Sequence, residues 1–280
     1  MPAIDAQWAV VAAGVAGLLI GSFLNVVIYR LPRMLERQWQ LDAADLRGET
    51  IATTARFDLI QPRSHCPACG QVLRLRDLIP VASWLVLRGR CAACRAPIGT
   101  RYPLVELATA ALFALCVVRF GPTVAAASAM LLAAALIAAA LIDADTQLLP
   151  DAITLPLVWA GLAINLTGVW VPIEQAVVGA MAGYLSLWSI HHGFRMATGR
   201  EGMGYGDFKL LAAIGAWLGW QPLPAVLLLA CAAGASFAII GGLARLREPL
   251  APIAFGPWLA CAGLIALFAY PALTAWLLGG

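Results

Sequence analysis

Four aspartates border apolar segments of this 280-residue chain and are the first candidates for chemistry. Asp207 follows a stretch, residues 202–206, in which three glycines alternate with larger residues, and it opens an apolar segment. Asp143 ends another apolar run without an intervening polar residue, and Asp145 and Asp151 follow shortly after it. Ionisable groups at the edge of a bilayer are costly and usually line a water-filled cavity, so these acids are candidate site residues.

Two such carboxylates, brought together, would have the chemistry of an aspartic dyad. Like charges a few ångströms apart do not both ionise comfortably, so the pair shares one proton. One member then acts as base on a water while the other donates to a substrate carbonyl, which is peptide hydrolysis. Simpler interpretations exist, because Asp207 and Asp151 could each be the N-cap of the helix that follows. Asp143 is expected at the bilayer edge, whereas Asp145 projects further towards solvent, about 200° around a continued helix.

Two cysteine pairs form a second candidate site. Cys66 and Cys69 have two residues between them, as do Cys91 and Cys94, and 21 residues separate the pairs. Four thiolates at this spacing predict a structural zinc site of the ribbon kind, with His65 as a less favoured substitute ligand. Four protein ligands leave no position for water, so the metal would fold the loop rather than catalyse. Two disulfides are the alternative, which the reducing cytoplasmic side predicted for this segment disfavours.

The composition is that of a membrane protein, with 62% hydrophobic and 12% charged residues, against roughly 45–50% and 25% in soluble domains. Long apolar runs broken by prolines predict an all-α polytopic membrane protein with about eight transmembrane helices. The predicted spans are residues 8–29, 102–119, 123–142, 152–170, 172–192, 207–220, 222–243 and 253–278. The 207–220 span is short for a full crossing and is expected to be tilted or joined tightly to its neighbour.

The one long polar segment lies between the first two spans and carries twelve arginines and both cysteine pairs. We therefore predict a first transmembrane helix in residues 1–29, a small cytoplasmic zinc-ribbon-like loop domain in 30–102 and a multi-helix membrane part in 103–280. With the N-terminus outside, seventeen of the eighteen Lys and Arg residues fall inside, as the positive-inside rule favours. This orientation puts all four aspartates at the cytoplasmic ends of helices.

The residues at these sites lead to a family. The sequence Gly204-Tyr205-Gly206-Asp207 matches the G-x-G-D motif of membrane aspartyl proteases, and the chain as a whole resembles the bacterial type IV prepilin peptidases. The supporting blocks, in family order, are residues 21–32, the cysteine pairs, and residues 101–106, 143–151, 202–211 and 255–257. A lone G-x-G-D motif would be weak evidence for this family, whereas six matching blocks in family order are highly specific evidence for it.

The resemblance implies a multi-pass enzyme of the bacterial inner membrane with its active site facing the cytoplasm. It would remove the short basic leader of type IV prepilins and type II secretion pseudopilins, then N-methylate the new terminal residue with S-adenosylmethionine. The resemblance implies that Asp143 and Asp207 are the catalytic pair. Asp145 is the alternative to Asp143, and the alignment of the Leu-Pro-Asp ending favours Asp143. No strand–glycine loop–helix fingerprint is present to hold the methyl donor, so its binding residues stay unassigned. Prepilins, pseudopilins and membrane lipid are the expected partners, and no nucleic acid is expected.

Two other classes of protein share some of these features. A transporter or ion carrier also places aspartates in membrane segments with glycine breaks, but it favours acids near the midplane and needs no zinc ribbon. A secretion-system scaffold would use the cysteine loop as a zinc docking module and would tolerate replacement of Asp207 by Ala.

Other polar residues near these segments have open or ordinary interpretations. His191 and His192 are explained as interfacial polar residues. Lys209 either lies near the acids and acts on their charge or extends towards the headgroups. Glu106 either binds substrate or pairs with an arginine.

Overall fold

The computed structural model describes residues 3–49, 56–200, 202–243 and 253–269. Within them the regular structure is helical, with a short 3₁₀ turn at Leu75–Leu78 and two isolated β-bridges but no strand. The α-helices are α1 Ala3–Leu46, α2 Ala82–Val86, α3 Arg101–Phe120, α4 Val124–Thr146, α5 Asp151–Asn165, α6 Ile173–Thr198, α7 Tyr205–Leu218, α8 Leu223–Leu243 and α9 Gly256–Ala269. Eight of them have at least 14 residues and lie on the eight predicted spans, which confirms the predicted fold class.

Among the described residues, four helices are long and apolar enough to cross a membrane, namely α1, α3, α4 and α8, and α5 and α9 are shorter apolar helices. The last predicted span, 253–278, is described as far as Ala269, and its remainder lies outside the described residues. The protein is thus a multi-pass membrane protein. The predicted orientation, with the N-terminus outside, stays a prediction.

The first helix differs from its predicted span by continuing past residue 29 to Leu46. The apolar run ends near Arg30, but residues 33–46 are rich in Leu, Glu, Arg, Gln and Ala, which are strong helix formers. Apolar length therefore marks where a membrane segment ends and not where the helix ends. The predicted boundary between the first helix and the loop domain stays a prediction.

The chain forms two compact units that divide after Ala126. In the first unit α1 packs along α3 at two glycines one helical turn apart. A Cβ atom on Gly17 would lie 2.6 Å from the Ala110 Cα, and one on Gly21 would lie 2.7 Å from the Glu106 Cα. Small residues at this spacing let helix backbones approach closely in membranes.

Polar contacts tie the loop segment to these two helices. Asn25 donates to the Tyr102 carbonyl at 3.1 Å, and the buried Arg30 guanidinium donates to the carbonyls of Asp58 and Pro62 at 2.9 and 2.7 Å. Glu106, also buried, accepts from the Val81 backbone N–H at 2.7 Å. The side chain of Glu106 thus fixes the loop just before α2.

Helix α7 is the centre of the second unit. It is about 21 Å long for its 14 residues, too short for a bilayer core of about 30 Å, yet every residue from Leu210 to Gly219 is buried. Helices α5, α6 and α9 pack around it. The short predicted span is therefore an internal helix joined tightly to its neighbours.

Glycine pairing and an amide cap hold α7 in place. Gly179 of α6 faces Gly215 of α7 so closely that a Cβ atom on Gly179 would lie 2.3 Å from the Gly215 carbonyl oxygen. The Asn165 side chain of α5 donates to the Ala216 and Trp217 carbonyls at 2.9 and 3.0 Å. These hydrogen bonds satisfy carbonyl groups in the last turn of α7 that have no partner within the helix. Trp217 in turn donates to the Leu157 carbonyl of α5 at 2.8 Å. These contacts fix the height of α7 and hence of its first turn.

Candidate active site and cysteine cluster

Asp143 lies in the last turn of α4 and is 5% exposed. Its Oδ2 accepts from the backbone N–H of Gly256, the first residue of α9, at 2.8 Å. The free N–H groups and partial positive charge of a helix N-terminus suit a carboxylate. A Cβ atom on Gly256 would lie only 2.7 Å from that same oxygen. The glycine between Phe255 and Pro257 is therefore required for Asp143 to make this contact.

Asp207 lies in the first turn of α7 and is 7% exposed. The N-cap of the helix is Gly204, not Asp207, and the Asp207 backbone N–H donates to the Gly204 carbonyl at 3.3 Å. Asp207 Oδ1 is buried and has no hydrogen-bond partner among the described residues.

The two buried acids lie within electrostatic range of each other. The second glycine of the G-x-G-D motif brings this about, since a Cβ atom on Gly206 would lie 2.6 Å from the Leu149 Cβ in the segment that follows α4. That segment begins with Gln147 in a left-handed backbone conformation, at φ 55°. The end of α4 and the start of α7 therefore meet with an acid on each.

The other two acids do not belong to this buried pair. Asp145 is exposed. Asp151 is the first residue of α5, whose N-cap is Pro150, so the predicted capping role for Asp151 is wrong. Its Oδ1 instead accepts from Lys209 Nζ at 2.6 Å, and this ion pair, not the headgroups, is the contact that the structure gives Lys209.

His191 is a buried polar residue. It is 3% exposed, and its ring packs on Tyr205 and Phe208 of α7, with centroids 5.6 Å apart in both cases. Neither ring nitrogen has a hydrogen-bond partner among the described residues. The interpretation of His191 as an interfacial polar residue stays a prediction, but its ring is buried against α7. His192 is half-buried and stacks on Trp188.

The four paired cysteines come together in the first unit. Their Sγ atoms all lie within 4.8 Å of one another, and Cys66 Sγ is 3.8 Å from Cys94 Sγ. Ligands about 2.3 Å from a tetrahedral zinc lie about 3.8 Å apart, so the donor set fits this metal. All four are free thiols, and the structure brings none of them into a disulfide. Backbone N–H groups of Cys94 and Ala93 lower the pKa of the Cys91 thiol to about 7, which favours the thiolate form.

The cluster is built from two copies of one turn, 25 residues apart. The bridge between His65 and Val72 corresponds to the bridge between Arg90 and Pro97. The hydrogen bond from the Cys66 N–H to the Gln71 carbonyl has its counterpart from Cys91 to Ala96, at 2.9 Å in each. The repeat is not evident in the sequence because few residues besides the cysteines are identical at that offset. Each copy presents two thiols to the other.

The fold and the two sites define a class: a polytopic membrane protein with a buried aspartate pair at helix ends and a four-cysteine loop. Residues 130–239 match the Type IV leader peptidase family, and residues 15–120 match the Bacterial Peptidase A24 N-terminal domain. The chain belongs to the type IV leader peptidase family, as its motifs predicted.

Three curated relatives carry the name prepilin leader peptidase/N-methyltransferase. The chain is 51% identical to the protein of Pseudomonas putida over 95% of its own length and 92% of the relative's. It is 52% identical to that of Aeromonas salmonicida strain A449 over 93% and 91%, and 51% identical to that of Burkholderia pseudomallei strain 1026b over 91% and 83%. No solved structure matches the chain.

Proposed function

We propose that this protein is a prepilin leader peptidase and N-methyltransferase in which Asp143 and Asp207 are the catalytic pair. The observation that carries the proposal is the burial of these two acids at the ends of two helices, where the segment after α4 contacts the first turn of α7, in a chain of the leader peptidase family. The relatives' names support both activities. An aspartic endopeptidase with methyl-transfer activity is the enzyme class that follows.

Cleavage would proceed by acid–base catalysis on a bound water. One carboxylate takes a proton from the water as it attacks the scissile carbonyl, and the other, which holds the shared proton, donates to the carbonyl oxygen. The amide nitrogen is then protonated and the new N-terminus leaves. Asp207 Oδ1, which makes no hydrogen bond among the described residues, is the oxygen available to the water or the substrate. Asp143 is oriented by the Gly256 N–H.

The substrates would be type IV prepilins and type II secretion pseudopilins, met at the cytoplasmic face of the bacterial inner membrane. The placement of Lys and Arg residues supports this orientation. Both acids lie at helix ends and not at helix centres, which supports catalysis at a membrane surface over transport through the midplane.

Methyl transfer requires S-adenosylmethionine, which supplies an electrophilic methyl group when bound. The described residues contain no strand–glycine loop–helix cradle of the kind that holds nucleosides. We therefore assign no residue to the donor and derive no step through it.

Zinc is the metal that we propose for the cysteine cluster. Cys66, Cys69, Cys91 and Cys94 would hold it, and its contribution would be structural because four thiolates complete its coordination.

The test of this function is incubation of the purified protein with a prepilin in detergent, with and without S-adenosylmethionine, followed by mass analysis of the pilin N-terminus. We expect a shortened pilin in both samples and a methylated one only with the donor. An uncleaved pilin in both samples would contradict the proposal.

A further inference from the structure

We propose that the cysteine loop carries a binding site for the phosphate headgroup of an anionic phospholipid. The site is a pocket of about 560 Å³ at the end of α2, lined by Val86, Leu87, Arg88, Arg90 and Arg95. Three arginines and two apolar side chains thus share one concave surface. Arginine binds phosphate oxygens through paired N–H donors, which makes phosphate the anion that best fits this lining.

The three arginines carry uncompensated charge. All are exposed, and no hydrogen bond or ion pair joins their side chains to any other residue that the structure describes. Elsewhere in the loop, Arg56 is paired with Asp58 and Arg76 with Asp77. The pocket is therefore a concentration of positive charge without an internal partner, and an external anion would supply one.

The backbone gives a second and independent observation. Arg88 and Arg95 are held in the left-handed region, at φ 51° and 60°. The first cysteine turn has Gly70, at φ 71°, where the second has Arg95. Glycine adopts this conformation without strain and arginine does not. Arg95 therefore occupies a position where the first turn has glycine, and both arginines keep a backbone conformation that is unusual for their type, as residues of binding sites often do.

The surroundings of the pocket point to a bilayer as the source of the phosphate. Val86, which lines the pocket, is 82% exposed, and the preceding residue in the chain, Leu85, is 60% exposed. Trp84 donates to the Ile98 carbonyl at 3.2 Å, which ties α2 to the residues just before α3. Helix α3 is a candidate membrane span that begins at Arg101, and three residues reach at most about 10 Å. The pocket consequently lies close to where the chain enters the membrane, with apolar side chains for the acyl boundary and arginines for the headgroups.

The experiment compares the full-length protein in nanodiscs of phosphatidylcholine alone and in nanodiscs that also contain phosphatidylglycerol. Mass spectrometry follows the hydrogen–deuterium exchange of residues 82–98. We expect phosphatidylglycerol to slow this exchange, and each arginine removed to weaken the effective lipid affinity about fivefold. The variants are Arg90→Gln, which leaves the backbone unchanged, and the double variant Arg88→Gly with Arg95→Gly, which removes two charges while relieving the left-handed backbone.

The control variant is Arg63→Gln, which removes the same charge from an exposed position of the loop outside the pocket and should keep the protection. Zinc content is measured throughout; if the double glycine variant loses zinc, Arg90→Gln decides alone. Exchange that is the same in both nanodiscs overturns the proposal, as does full protection in Arg90→Gln. Equal protection in phosphatidylcholine by added inorganic phosphate would assign the pocket to free phosphate, and protection by polyglutamate in place of phosphatidylglycerol would assign it to an acidic protein.

Discussion

At the scale of single residues, the proposed chemistry depends on two acids that are buried at the ends of two helices. The Gly256 backbone N–H of α9 donates to Asp143 at 2.8 Å. This contact uses glycine because the backbone itself must come close to the carboxylate. Asp143 is thereby oriented by the backbone of another helix.

We expect Asp143→Asn and Asp207→Asn each to abolish leader cleavage almost as completely as the two together. Asparagine keeps the size of the side chain but cannot ionise, and residues that act as a unit lose function non-additively. Asp145→Asn should be milder, since that side chain is exposed. The measurement is cleavage of a prepilin by the three single variants and the double.

Methylation of a pilin that already has its mature N-terminus is the control for these variants. It should survive, because transfer to an amine needs a bound donor and not an activated water. Substantial cleavage by Asp143→Asn or Asp207→Asn would remove that residue from the pair. An inactive Asp145→Asn beside an active Asp143→Asn would transfer the role to Asp145.

Gly256→Ala tests whether the position of Asp143 matters as well as its presence. The added Cβ atom would lie 2.7 Å from Asp143 Oδ2, so the carboxylate has to move. A displacement of about 1 Å can cost about 100-fold in rate, and we expect a loss of that order in prepilin cleavage with thermal stability nearly kept. Gly242→Ala, where nothing lies within 4 Å of the added atom, is the matched control and should cleave normally.

At the scale of helices, the second unit is organised around a short helix whose residues from Leu210 to Leu218 are all buried in the protein. Between helices in a membrane, close packing and backbone approach replace the hydrophobic effect as the source of stability. The faces of α6 and α7 meet at Gly179 and Gly215 with no room for a side chain. The position of Asp207 is therefore set by glycines up to two turns away on the same helix.

Gly179→Ala should lower the stability of the protein by about 1–3 kcal/mol, the range for forcing an extra carbon into a packed interface. Its Cβ atom would meet the Gly215 carbonyl oxygen at 2.3 Å. Gly193→Ala on the same helix meets nothing within 4 Å and should be neutral or slightly stabilising. Thermal unfolding of the two variants is compared in one detergent. Equal unfolding temperatures would contradict the prediction, because they would show that the α6–α7 interface accommodates the extra carbon without loss of stability.

At the scale of the whole molecule, the cysteine loop has to fold without a hydrophobic core. Among residues 56–100, which the structure describes without a gap, Cys66 and Cys91 have the only buried side chains. Small loops of this kind depend on a metal, whose binding energy is also their folding energy. The membrane helices, by contrast, bury many apolar side chains, among them Leu132, Leu136 and Leu211.

We expect one zinc per chain by elemental analysis, and Cys91→Ser to lose the metal and the protection of the loop from proteolysis. Removing one of four ligands opens the site, while the proposed aspartate pair keeps its groups, so cleavage should fall less than in Asp207→Asn. Protein purified under reducing conditions with no metal and four reactive thiols would falsify the zinc assignment.

Residues that lie close together in the sequence were enough to predict the helices, the cysteine cluster and the family of this protein. Apolar run length and prolines predicted the eight helices α1 and α3 to α9, because a membrane helix satisfies its own backbone hydrogen bonds within one continuous segment. The two C-x-x-C turns predicted the cysteine cluster for the same reason, since each is closed by local hydrogen bonds. Six short blocks, read in order, predicted the family.

Tertiary packing decided the rest. The contact of Asp143 with Gly256 joins residues 113 apart in the chain. The sequence around either residue does not predict this contact. Asp145 and Asp143 are equally acidic and two residues apart, yet only one is buried, because the neighbouring helices cover one face of α4. Burial of α7 likewise depends on three other helices. Local patterns specify elements and turns, whereas the meeting of distant side chains depends on how those elements pack.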